Sequence, residues 1–315
     1  MRLFGGFCLL MLLSSAPALG RDIYVNNIAG DDRSTGQKIQ NDQDQTGPVR
    51  TLAKALKLAT GSDTIVLAKT DEPYRESVSL VGSRASGLAQ QPFTIRGNGA
   101  VLDGSAPVPV RAWENFNGPV FRFRPPEIGC QQLFLDNRPA VRVISNRSSS
   151  GPSELKPKQW CLYDGQVYFC VELKKLPADY KLTYAHLQTG ITLFHVDRVL
   201  ISDLTVQGFR LDGINLQNSA RHVSLVGITC RGNGRSGVTV GGASLLEMDR
   251  SLLGDNGQGQ LITLPTSETF VRNSHLLSNT APGWVDQGGR VYLDDKRAEG
   301  GLDEFHPAAN AEKKP

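Results

Sequence analysis

The residues best suited to chemistry on a sugar are Arg210 and Asp212, followed one repeat later by Arg231 and Arg235, with Asn215 close by. A lyase acting on a uronate must neutralise the substrate carboxylate so that the neighbouring carbon can lose a proton to a base. Within this group Arg235 is the candidate to neutralise that charge, and Asp212 the candidate to orient Arg235. Arg210, Asn215 and Arg231 are then substrate-binding candidates, since guanidinium and amide groups suit an anionic sugar. No residue of the group is a convincing base. The same residues also read as a salt-linked surface turn, worth little beyond roughly 1 kcal/mol.

These residues lie in a segment, Gly190 to Leu293, that matches itself at a shift of 23 or 24 residues. The turns of the repeat begin GITLF at Gly190, GINLQ at Gly213, GVTVG at Gly237 and QLITL at Gln260, with a weaker start at Gly283-Trp284. A second strand follows at Val199/Ile201, Val223/Leu225, Leu246/Met248 and Thr269/Val271. A third follows at Leu204/Val206, Ile228/Cys230, Ser251/Leu253 and Ser274/Leu276. Alternating apolar positions between Gly-, Asn-, Asp- and Ser-rich turns make three short strands per repeat, with no helical stretch. One such unit cannot bury its apolar face alone. Stacked units would pair equivalent strands at about 4.8 Å and merge their inward columns into one core. The prediction is an all-β chain wound as a right-handed parallel β-helix. Asn233, Asn256 and Asn279 are expected to form a ladder of turn amides from coil to coil.

The rest of the chain divides around that solenoid. Residues 1–20 read as a secretory signal peptide: Arg2, an apolar run from Leu3 to Leu13, then small residues ending Ala18-Leu19-Gly20, with cleavage before Arg21. That run is too short to span a bilayer, so a secreted or periplasmic protein without a membrane span is expected. Residues 21–104 hold a first strand in IYVNN, a capping helix in TLAKALKLAT with Leu52, Ala55, Leu56 and Ala59 on one face, and the first coils. Residues 105–185 break the repeat and contain 11 of the 22 aromatic residues, which marks an inserted β-subdomain with its own core. Residues 186–293 are the regular coils. Residues 294–315 form a charged tail expected to be disordered.

At this point the words IYVNN, GPVRTLAKAL, SDTIVLA, YRESVSL, PFTIRGNGAVLDGS and the GIxL repeats resemble the pectin-lyase-like superfamily of secreted right-handed parallel β-helix proteins. The insert ahead of the regular coils resembles that of β-helix glycoside hydrolases. The resemblance implies polysaccharide lyases, glycosidases, uronate epimerases and relatives without established activity. It transfers no catalytic residue.

Coil geometry tests the chemistry further. Carboxylates in one column would stand about 5 Å apart on adjacent coils and about 9 to 10 Å apart two coils on, near the retaining and inverting glycosidase spacings. The repeat's acids occupy different columns, and only Glu247 and Glu268 approach a diagonal pair. Asp249 falls over Arg272, an expected coil-to-coil ion pair. His186, His195 and His222 share no column, so no metal site is expected, although Asp31 and Asp32 could bind calcium. Cys161 and Cys170 flank the Asp164-Gly165 turn and are either a disulfide or two buried thiols. Without Arg2 of the leader the formal charge of +3 falls to about +2, too small to imply a nucleic-acid partner held by counterion release. Two classes remain open: a secreted protein that binds and degrades a polysaccharide, acidic ones included, by lyase or glycosidase chemistry, and a non-catalytic carbohydrate-binding or cell-surface β-helix protein. A monomer is the default.

Overall fold

The computed structural model of the chain describes residues 20–127, 129–145 and 151–301. The expected leader, apart from Gly20, and the tail after residue 301 lie outside the described residues.

The three-strand repeat forms a right-handed parallel β-helix. Its front wall is a six-stranded parallel sheet that runs, coil by coil, through Val78–Val81, Ile191–Phe194, Asp212–Gln217, Ser236–Val240, Gly259–Thr263 and Trp284–Asp286. The back wall stacks Val199 on Val223 on Leu246, and Ile201 on Leu225 on Met248. All six are buried, as the alternation predicted. The third strand stacks Val206, Cys230, Leu253 and Leu276 in the same way. Each fully buried aliphatic side chain contributes roughly 1.5–3 kcal/mol, so the columns are the main source of cohesion. At the corner between second and third strands, Asn98 and Asp203 adopt left-handed backbone (φ 52° and 51°), which short polar residues tolerate best.

The ends and the insert take their shape from local chemistry. The helix Leu52–Leu58 buries Leu52, Ala55 and the flanking Ala59, while Leu56 is only partly covered. Its first turn is satisfied by three oxygens: Thr51 Oγ1 accepts from Lys54 N, and the Glu76 carboxylate accepts from Leu52 N and Ala53 N. Residues 105–185 form a five-stranded and a four-stranded sheet around a separate core that includes Leu133, Trp160, Val167 and Phe169. The hairpin turns at Asp164 and Gly165, both with positive φ. Cys161 pairs with Tyr168 and Cys170 with Val120 in register, and all four described cysteines are free, so the thiol alternative holds.

Three expectations need correction. Asn233 and Asn256 are fully buried and bonded coil to coil, but Asn279 is exposed and bonds Asp255, while Gln260 takes the next inner position. Gln260 comes from the strand itself and its longer side chain reaches the Asn256 amide. The Asp249–Arg272 pair does not form; Arg272 turns to Asp295 at 2.8 Å, and Asp249 accepts from Asn273. The tail is ordered where it begins, because Lys296–Ala298 pairs antiparallel with Arg290–Leu293.

Candidate functional site

The predicted front-wall group comes together only in part. Asp212 is completely buried and receives Arg235 in a bidentate ion pair, Nε at 2.8 Å and Nη2 at 2.5 Å. Asn215 Nδ2 donates to the same carboxylate at 2.6 Å, and the hydroxyls of Ser236 and Thr239 donate at 2.8 and 3.2 Å. Five hydrogen bonds saturate the carboxylate. They also hold the Arg235 guanidinium charged, its pKa moved up from the ordinary value by Asp212. Gly213 is glycine here because a Cβ would stand 2.7 Å from the Gly237 carbonyl oxygen. This network orients Arg235, but its carboxylate has no free face.

A strap of the insert covers the neighbouring turns. Glu127 Oε2 binds Arg210 Nη2 at 2.6 Å, and the Arg210 stem runs beneath Gly129. The backbone of Cys130 lies directly on Gly234, where a Cβ would meet its carbonyl oxygen at 1.6 Å. Gln258 Nε2 reaches Cys130 Sγ at 3.3 Å. Burial pushes the Cys130 thiol pKa up, with Arg235 working weakly against it. Arg210 is therefore a docking residue for the insert, buried with its Nη1 unpartnered.

Arg231 belongs to a different place. On the third strand, Asp103, Gln207 and Arg231 stack in one column over three coils, with Gln207 bonding Asp103 at 3.2 Å and Arg231 at 2.9 Å. Arg75 reaches the Ser105 carbonyl at 2.6 Å and Asp103 Oδ2 at 4.0 Å. This polar column faces a cleft of about 540 Å³ at the seam between solenoid and insert, whose far wall carries Tyr180 and Lys181. Asp71 and Glu72 stand at its rim and are exposed. Gly208 and Gly232 follow Gln207 and Arg231 with φ of 73° and 63°; a Cβ on either would strike Asp103 Oδ1 or the Phe134 ring at 2.7 Å. Asp103 and Gln207 escaped the repeat comparison because the insert separates them by 104 residues.

The other candidates resolve as local structure. Asp31 pairs with Arg33, which holds its carboxyl down at about 2, and Asp32 accepts from Arg50 N, Thr51 N and Thr51 Oγ1. His222 binds Asp197, His186 binds Tyr184, and His195 packs on Phe194. Among the described residues no three His, Cys, Asp or Glu gather as a metal site. Glu268 pairs with Arg290, and Glu247 is exposed. Most insert aromatics pack edge-on against one another in its core.

No protein-family profile matches the sequence, and no curated protein matches it. Solved structures do match. One described as a glycoside hydrolase superposes with a TM-score of 0.58 at 10% identity, over 88% of this chain and 74% of its own. The complex of XylC with xylose (TM-score 0.43, 12% identity, 89% and 73% coverage) and the pectate lyase Pel9A (0.40, 12%, 81% and 53%) are more distant neighbours. At such identities the likeness is one of fold. The chain is a right-handed parallel β-helix protein.

Proposed function

We propose that the protein is a secreted, polysaccharide-binding β-helix protein whose glycan site is the seam cleft. The observation that carries this reading is the Asp103–Gln207–Arg231 column, in which buried Asp103 holds Gln207 and, with it, the exposed Arg231 and Arg75 so that amide and guanidinium groups line a cleft of about 540 Å³. Planar polar side chains of this kind hydrogen-bond the hydroxyls of a sugar, and a few of them in a concave site set orientation. Tyr180 adds an aromatic wall. The solenoid neighbour described as a glycoside hydrolase is consistent with a carbohydrate ligand. The Asp212–Arg235 group is the weaker location, because its carboxylate is buried and fully bonded.

The test is binding of the mature chain to a panel of neutral and uronate polysaccharides by calorimetry, with reducing ends and unsaturated products followed in parallel. Arg231→Ala is expected to weaken binding about tenfold, a loss of about 1.4 kcal/mol. Arg235→Ala, checked for folding by circular dichroism, is expected to leave affinity unchanged. The reverse pattern would return the site to the front wall. Product release that Asp103→Asn abolishes while binding persists would make the cleft catalytic, with Asp103 as the proton-transfer residue.

A further inference from the structure

The two main walls of the solenoid end at different heights. The back wall continues past Phe93–Asp103 to Thr64–Leu67 and then Asp22–Val25, whereas the front wall stops at Val78–Val81. In chain order each coil passes the front wall before the back. In chain order the coil that contains Thr64–Leu67 has the helix Leu52–Leu58 in place of a front strand. A helix bonds its own backbone and cannot pair with a strand, so among the described residues no strand pairs with the outer edge of Val78–Val81. Val78 N–H and Gly82 N–H donate to Gly190 and Phe194 at 2.9 and 3.0 Å. The alternation of a parallel ladder then aims the N–H and C=O of Ser79 and Val81 away from the sheet.

The helix is pinned along this edge at both ends. Glu76 holds Leu52 N and Ala53 N, while Arg84 donates to the carbonyls of Ala59 and Lys57. Between the pins Ala53, Leu56 and Lys57, spaced as one helical face, stand across a groove of about 340 Å³ from Ser79 and Val81. Val81 is 55% exposed. Lys57 and Arg84 are the charged residues of the lining, and both are basic.

We propose that this groove takes an extended acidic peptide segment of a partner protein, added as a further front-wall strand against Ser79 and Val81. The added strand supplies partners for the open backbone groups, sets an apolar side chain against Leu56 and Val81, and brings a carboxylate to Lys57 and Arg84. No residue of the groove lines the seam cleft, so this inference and the glycan reading stand or fall separately.

The test uses the full chain and a fluorescein-labelled peptide, Glu-Val-Thr-Val-Thr-Glu, against a counterpart with both glutamates replaced by lysine, read by fluorescence anisotropy. Ser79→Pro removes an edge donor that serves no ladder bond, a change that edge strands tolerate. Lys57→Glu reverses one charge at an exposed site. The glutamate peptide is expected to bind the parent saturably and at least about tenfold tighter than the lysine peptide. Ser79→Pro should lose at least that factor and Lys57→Glu should invert the preference, with circular dichroism unchanged. Absence of saturable binding by the parent, or undiminished binding by Ser79→Pro, overturns the proposal. So does a concentration-dependent dimer in sedimentation that Ser79→Pro abolishes, since a second copy would then be the occupant.

Discussion

Asp212 and Arg231 are both polar residues of the repeat, yet their surroundings give them opposite roles. Asp212 carries charge at a fully buried position and survives there because one guanidinium, one amide and two hydroxyls donate to it. Asp212→Ala leaves a partly buried guanidinium without its partner and removes the acceptor for three other donors. The expected cost is about 3–5 kcal/mol in chemical denaturation, in the range for one-sided removal of a buried pair. Arg231 is exposed, and among the described residues its side chain bonds Gln207 alone, so Arg231→Ala should stay within about 0.5 kcal/mol of the parent. The contrast separates a residue that holds the solenoid together from one free to meet a ligand.

At the scale of elements, the helix Leu52–Leu58 depends on a carboxylate supplied from another segment. Burial raises the Glu76 pKa, and the two backbone N–H donors only partly oppose it. A folded pKa above the unfolded value means that the folded state binds more protons in that window. Stability from this group is therefore fully present below the unfolded value of about 4.3 and is lost as pH rises through the folded pKa. Glu76→Gln should remove that slope, which urea unfolding at a series of pH values would show. Retention of the same slope in the variant would assign it to other groups. The insert is a second element fixed from outside itself: its strap lies on the solenoid where Gly234 has no side chain, and Arg210 clasps Glu127. Gly234 follows Asn233 in a turn of the repeat, and nothing in the local sequence records which distant segment will lie against it.

At the scale of the whole molecule, residues 1–20 read as a leader that export would remove. Among the described residues no helix is long and apolar enough to cross a membrane. Export with cleavage before Arg21 is expected, and N-terminal sequencing of protein recovered outside the cytoplasm should begin Arg-Asp-Ile-Tyr. A mature chain that still begins at Met1 would remove the basis for a secreted role.

The solenoid was legible in the sequence because its determinants are periodic. Val199, Val223 and Leu246 recur at the repeat length and face inward by strand alternation, so stacking follows from spacing alone. The helix in TLAKALKLAT was legible from its apolar face, and the break in the repeat over residues 105–185 from the loss of the period and its aromatic content. The sequence also placed Arg210 and Arg231 beside Asp212, and the structure does not bring them there, because adjacency along a turn does not fix side-chain direction. Arg210 is drawn to Glu127 of the insert and Arg231 to the Gln207 column. Asp103 joined that column only when the chain returned to the solenoid after the insert. Periodic burial can be read from one strand at a time, whereas a site formed where two cores meet exists only once both have folded and docked.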